Sequence, residues 1–193
     1  MSFTKLTVFF DANSFGTIPT AFNPDGCGGI FESNSIMRSV ARLGSITCSL
    51  YRDDAYSASR IDSFLDATLV FACDSKLYLL SLLEGTFTSN LHETAKQALC
   101  TYLSRLNRAL SPDRSYLVGD TLSIVDRCVV AELALFFRER DYEKIFSEFH
   151  FSPTADAEIN EYYPLIADHF HKLCEHEAFA PDVLSHMEKL LLG

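Results

Sequence analysis

The sequence predicts an α+β protein that is mostly α, a small strand-bearing module followed by an all-helical bundle. Three observations carry this. Four of the eight glycines and the short β-type runs crowd into the first thirty residues. From about Asp53 onward only helical periodicity is found. One later segment, IVDRCVVAELALFF, is apolar nearly all round, which marks a helix buried in the middle of a bundle. These textures place a first module at 1–45 and a helical domain at 53–193.

In the first module, Leu6 to Phe10, Ile18 to Phe22 and Ile30 to Phe31 read as short strands. Asn23-Pro24-Asp25-Gly26 is a turn between them, and Gly26-Cys27-Gly28-Gly29 completes it as a hairpin connection. Ser33 or Asn34 then caps a helix that Gly44 ends, its inner face drawn from Ile36, Met37, Val40 and Leu43.

The helical domain opens with Asp54 to Leu83, where Ile61, Leu65, Leu69 and Ala72 recur at helical intervals. Leu91 to Leu110 repeats the pattern with Leu91, Ala95, Leu99, Tyr102, Leu106 and Ala109, so a turn at Gly85 joins an antiparallel pair. The apolar helix Ile124 to Phe137 follows. Its start, Ser123-x-x-Asp126, is a capping box in which each residue's side chain satisfies the other's backbone amide. Asp141 to Phe149 reads as a short helix or loop, Ser152 to Ala157 as a polar linker, Pro164 to His176 as a helix with proline in its first turn, and Pro181 to Leu192 as a last helix.

Composition narrows the function. Sixteen basic against twenty-six acidic residues give a net charge of −10, without the clustered Lys and Arg that counterion-releasing contact with nucleic acid requires. The apolar runs fall short of the roughly 20 residues that span a bilayer, and the amino terminus lacks a secretory cleavage pattern, so the expected setting is the cytoplasm, with no membrane partner. Six scattered cysteines without a Cys-x-x-Cys pair form neither a zinc framework nor a secreted disulfide scaffold, and are expected to be mostly buried thiols.

Three segments, in order, carry a family likeness. Gly16-Thr17-Ile18-Pro19 resembles the G-x-[VI]-P turn of glutathione S-transferases, in which the proline is cis. Phe31 to Gly44, FESNSIMRSVARLG, resembles that family's strand–turn–helix segment with its Glu-Ser pair, and Tyr116 to Asp126, YLVGDTLSIVD, is similar to its folding motif, here Gly119, Ser123 and Asp126. The wording of the second segment looks most like the transferase-like domains of translation elongation factor 1 gamma and of relatives attached to aminoacyl-tRNA synthetases.

The resemblance implies a thioredoxin-like module at 1–45, truncated because about fifty or more residues ordinarily precede the cis-proline, and a complete helical C-terminal domain at 53–193. It implies that Ile18 and Pro19 would meet the cysteinyl part of glutathione and that Glu32 and Ser33 would hold its γ-glutamyl end, Ser33 at a helix amino terminus that favours a carboxylate. The same residues read first as structural, Ser33 and Glu32 as a helix cap and Pro19 as a turn former. The thiol-activating residue of the family sits where the first strand meets the first helix. Ser2, Thr4, Thr7 and Ser14 are the amino-terminal candidates, and none occupies such a junction, so no catalytic residue is assigned. The expected function is a non-catalytic scaffold for protein–protein interaction in protein biosynthesis, within the elongation factor 1 or a tRNA-synthetase complex, with homodimer pairing implied by the family. A divergent glutathione-binding transferase is the alternative, and glutathione its only cofactor. In place of the P-x-x-x-R-W-F segment of the elongation-factor branch stands Pro164-Leu-Ile-Ala-Asp168-His169-Phe170.

Other chemistry-bearing groups read as background. His171, Cys174 and Glu175 share a helical face but read as a solvated polar surface with no metal. Asp53-Asp54 and Arg138-Glu139-Arg140-Asp141 read as surface or helix-end charge.

Overall fold

The computed structural model describes residues 3–23, 28–44, 49–177 and 179–180. It divides into two compact units, 1–58 and 59–193.

The first unit runs helix, hairpin, helix: α1 (Phe3–Ala12), β1 (Thr20–Phe22), β2 (Gly29–Phe31) and α2 (Ser33–Leu43). The run Leu6 to Phe10, expected as a strand, is helical. Its β-branched and aromatic residues suit a strand locally, but ten residues closed by the Asn13 N–H bond to the Phe9 carbonyl (2.9 Å) pack as a helix on β2. The crossing is close. A Cβ on Gly29 would lie 2.9 Å from the Ala12 carbonyl oxygen and 3.1 Å from that of Ala21, so only glycine fits. β1 and β2 pair antiparallel, Thr20 opposite Phe31, Ala21 opposite Ile30 and Phe22 opposite Gly29. The turn proposed at Asn23-Pro24-Asp25-Gly26 lies largely outside the described residues, as does Gly26-Cys27, but the Asn23 N–H bond to the Gly28 carbonyl (3.2 Å) closes the hairpin around them.

α2 starts at Ser33, and the residue at its N-cap is Glu32, whose side chain makes no capping bond. Its buried positions are Asn34 and Ala41, whereas Val40 is 63% and Leu43 84% exposed. The inner face is therefore rotated from the expected one. Asn34 and Ala41 lie seven residues, about two turns, apart and so share one face, which is the buried one.

α3 (Ala55–Glu84), which belongs to the second unit from Ser59 on, and α4 (Ser89–Ala109) lie antiparallel, as the pairing of Thr68 with Tyr102 and of Tyr78 with His92 shows. Asp54 starts α3 by accepting the Ser57 N–H (2.8 Å), and its carboxyl is held below the ordinary value by that bond. Gly85, at φ 68°, makes the turn, and Thr88 caps α4 by accepting from Leu91 N–H (3.3 Å). An aromatic spine joins the pair to α5 (Ile124–Phe136): Phe71 stacks on Tyr102 (4.4 Å between centroids), and Phe136 packs on Phe71 and Tyr78, both at 5.7 Å. Val125, Val129, Val130 and Leu133 of α5 are fully buried, as expected of the central helix.

A 3-10 segment (Phe137–Tyr142), α6 (Glu143–Phe149), α7 (Thr154–Tyr162) and α8 (Pro164–Cys174) complete the described bundle. The stretch Ser152 to Ala157, expected as a polar linker, is instead the entry to α7. Its short polar residues look like a loop in sequence, but the Thr154 side chain turns inward to a buried partner and is 5% exposed. The helix expected over Pro181 to Leu192 lies outside the described residues.

Candidate functional site

The hairpin places the two halves of the first-module motif side by side. Because Thr20 pairs with Phe31, the residues preceding β1, Ile18 and Pro19, emerge at the same end of the sheet as those following β2, Glu32 and Ser33. The Ile18–Pro19 peptide is cis, and Ile18 is 84% exposed with its backbone outside the ladder. Ser33 opens α2, whose first-turn N–H groups have no intrahelical acceptors and carry the positive end of the helix dipole. Glu32 sits at φ 66°, ψ 122°, a conformation that a residue with a Cβ rarely adopts. Free backbone on one strand, a helix amino terminus and a hydroxyl within one short edge can hold a peptide-like ligand carrying a carboxylate.

Asn13, which the sequence reading passed over, braces this edge. It is fully buried, donates to the Thr17 carbonyl (2.6 Å) and the Thr20 hydroxyl (2.9 Å), and accepts from the Phe15 N–H (3.0 Å). These bonds hold the loop before the cis peptide in shape. Of the thiol-activating candidates, Thr4 and Thr7 fall on α1, Ser14 lies in the exposed turn after it, and Ser2 is outside the described residues. Among the described residues, the strand-to-helix junction of this unit carries Glu32 and Ser33.

The helical unit holds a groove of about 650 Å³ between α3 and α4. Phe64, Val70, Phe71 and Leu106 give it an apolar lining, Val70 being largely exposed. Since the helices are antiparallel, Arg60 and Arg105 stand at one end and Asp74 and Gln97 at the other. Neither arginine nor Asp74 is in an ion pair among the described residues; the Arg60 guanidinium lies 5.8 Å from the Phe64 ring centre.

Gly119, Ser123 and Asp126 serve the fold. Gly119 takes φ 70°, and both arms of the capping box are present. Asp126 is fully buried and accepts from Ser123 N–H (2.8 Å), Ser123 Oγ (2.7 Å) and Leu117 N–H (3.0 Å). Burial pushes its carboxyl up, but the His169 ring at 3.3 Å and these donors outweigh burial and hold it below the ordinary value. His169 is buried, one ring nitrogen 3.1 Å from the Ser115 carbonyl and the other facing Asp126.

Cys174, expected with His171 and Glu175 on a solvated face, is buried instead, and burial pushes its thiol up to about 11, the opposite direction from an activated thiol. No group of three or more His, Cys, Asp or Glu among the described residues could hold a metal ion. Cys128 is also buried, whereas Cys73 is exposed and Cys100 half-buried; Cys27 and Cys48 lie outside the described residues. No helix among the described residues is long and apolar enough to cross a membrane. Glu139, read as surface charge, is fully buried, a point the sequence carried no signal for.

Residues 61–177 match the glutathione S-transferase C-terminal domain family. The chain is 32% identical over 147 residues to elongation factor 1-gamma 3 of Oryza sativa subsp. japonica, covering 75% of this chain and 34% of the relative. A second elongation factor 1-gamma, from Arabidopsis thaliana, is 29% identical over the same length and coverage. The chain thus spans about a third of the length of these curated relatives. Among solved structures, a glutathione S-transferase-like protein from Lodderomyces elongisporus superposes with a TM-score of 0.67 at 19% identity, covering 90% of this chain and 76% of that one. Monomeric Na-GST-3 of Necator americanus gives 0.65 at 19%, covering 96% and 82%. A transferase from Methylobacillus flagellatus solved with glutathione bound gives 0.63 at 20%, covering 90% and 78%.

Proposed function

Because the chain belongs to the glutathione S-transferase superfamily through its C-terminal domain, we propose that it is a non-catalytic docking module of the translation apparatus, working in the cytoplasm. Its partner would be the nucleotide-exchange subunit of elongation factor 1 or a protein of a tRNA-synthetase complex. The observation that carries this reading is the likeness to two elongation factor 1-gamma chains over three quarters of the sequence. A net charge of −10 favours protein over RNA as the partner. The α3/α4 groove, with an apolar lining and charges at both ends that form no ion pair among the described residues, has the make-up of an interface core with a polar rim. The same groove suits pairing with a second copy of the chain.

The test is association in solution. The purified chain, mixed with recombinant exchange subunit and examined by light scattering after size exclusion, is expected to co-elute as a defined complex that Val70→Glu in the groove disrupts. Separate elution of both proteins at concentrations of about 50 μM, well above the micromolar range of a working complex, sinks the proposal.

A second reading, a divergent transferase that binds glutathione, is favoured by one observation: Ile18-Pro19 and Glu32-Ser33 emerge at one edge. Calorimetry separates the two. Heat of glutathione binding that Ser33→Ala abolishes, together with turnover of an electrophile, supports the enzyme; silence up to millimolar glutathione removes it.

A further inference from the structure

His92 lies where four elements meet. It is buried on α4, its ring stacked on Phe151 (4.3 Å, 23°) and met edge-on by Phe87, Phe146 and Tyr78 at 6.0 to 6.1 Å. Its Nε2 lies 3.2 Å from the Thr154 hydroxyl, at the start of α7. Its Nδ1 has no hydrogen-bond partner; the Glu93 carboxylate, 4.0 Å away, is on a side chain that is mostly exposed.

The start of α7 is buried, Thr154 and Ala155 being 5% and 1% exposed, but it has no side-chain cap of its own. Its N-cap is Pro153, which offers no side-chain acceptor. A second tie comes from Glu139, whose carboxylate accepts the Ala155 N–H (2.6 Å) on one oxygen and the Tyr78 hydroxyl (2.8 Å) on the other. Glu139 thus does the work of a helix cap from another element, and His92 ties the Thr154 side chain beside it.

We propose that His92 is a proton-operated latch: neutral, it holds the Phe151–Thr154 entry to α7 against α4, and protonated, it releases that entry. An imidazolium here would exchange water for four aromatic rings, the Thr154 hydroxyl and the Ser152 backbone, with no hydrogen-bond partner at Nδ1. The charged groups that face it are few. Glu93 favours the proton and Lys96 opposes it, both from its own helix, while α3 contributes Tyr78 with Glu139 behind it, and the Phe146–Thr154 side offers aromatic rings, a hydroxyl and the Ser152 backbone, which also favours the proton. Burial outweighs the Ser152 backbone and Glu93 and holds the imidazole below its ordinary value, so the neutral form prevails at neutral pH.

Hydrogen exchange read by mass spectrometry on the full chain tests the latch, with protection factors corrected for the intrinsic pH dependence. Between pH 7.5 and pH 5.0 the peptide covering 151–160 is expected to lose protection at least about tenfold, while α5 peptides hold theirs. His92→Gln, which keeps a hydrogen-bond partner for Thr154 but does not titrate in this range, is expected to flatten the response, and His92→Phe, which fills the aromatic site, to do the same. Equal loss of protection in wild type and in both variants overturns the proposal, as does a pH-independent wild type. Loss of the response in Glu139→Gln but in neither His92 variant assigns the switch to the carboxylate and overturns it as well.

Discussion

At the level of single residues, Glu32 and Asp126 pull in opposite directions. Glu32 holds φ 66° with a Cβ and makes no capping bond, so its backbone conformation costs stability that its side chain does not return. Glu32→Gly is expected to raise the midpoint of thermal unfolding of the first unit, by about 1 kcal/mol in free energy, whereas an essential side-chain contact would make the change destabilising. Asp126 is the reverse case. Three donors and the His169 ring converge on one buried carboxylate, and Asp126→Ala leaves them unanswered at a cost of about 3 to 5 kcal/mol in denaturant unfolding. Since its folded value lies below the ordinary 3.8, the unfolded chain binds the proton more readily. Its contribution is complete above that value and fades as pH falls through the lowered one. Acid unfolding of the helical unit is therefore expected to begin at higher pH once Asp126→Asn removes the group, and an unchanged acid limb refutes the assignment.

Among elements, what could be read from sequence tracks where the decisive contact lies. The capping box, the α3–α4 turn at Gly85 and the apolar α5 are settled by residues near each other in the chain, and the structure has all three. α1 was misread because Leu-Thr-Val-Phe-Phe suits a strand on its own and becomes a helix only through closure at Asn13 and packing on β2, which no local pattern records. The entry to α7 was misread for the same reason, since its partners His92 and Glu139 lie 62 and 16 residues away. At the candidate edge, Ile18, Pro19, Glu32 and Ser33 were legible as motif, but Asn13, an ordinary polar residue before a turn, was not. The α1–β2 crossing makes its own prediction. Gly29→Val places carbons against the Ala12 and Ala21 carbonyls at 2.9 to 3.1 Å, so the first unit is expected to lose about 1 to 3 kcal/mol while the helical unit keeps its unfolding midpoint. Ellipticity and exchange of α1 amides separate the two, and a neutral Gly29→Val shows that α1 does not approach β2 so closely.

For the whole molecule, the spacing of charges on α3 suggests how two copies would meet across the groove. Ala67 lies seven residues from Arg60 on one side and seven from Asp74 on the other, and seven residues make nearly two helical turns, so all three share one stripe with Val70 between. Two α3 helices laid antiparallel about a two-fold axis at Ala67 bring Arg60 of each copy to Asp74 of the other and Phe64 toward Val70. The small side chain at the axis permits close approach. A parallel arrangement would set Arg60 against Arg60, so charge selects the antiparallel one. Charge reversal by Asp74→Arg is expected to weaken self-association at least about tenfold in analytical ultracentrifugation. Arg60→Asp alone is expected to do the same, and the double variant, with the two charges exchanged, to restore pairing. Restoration is the decisive arm, because a fold merely damaged by either substitution does not recover when the second is added. A chain that sediments as a monomer at about 100 μM, or an Asp74→Arg variant that pairs as the parent does, leaves the groove to a different partner.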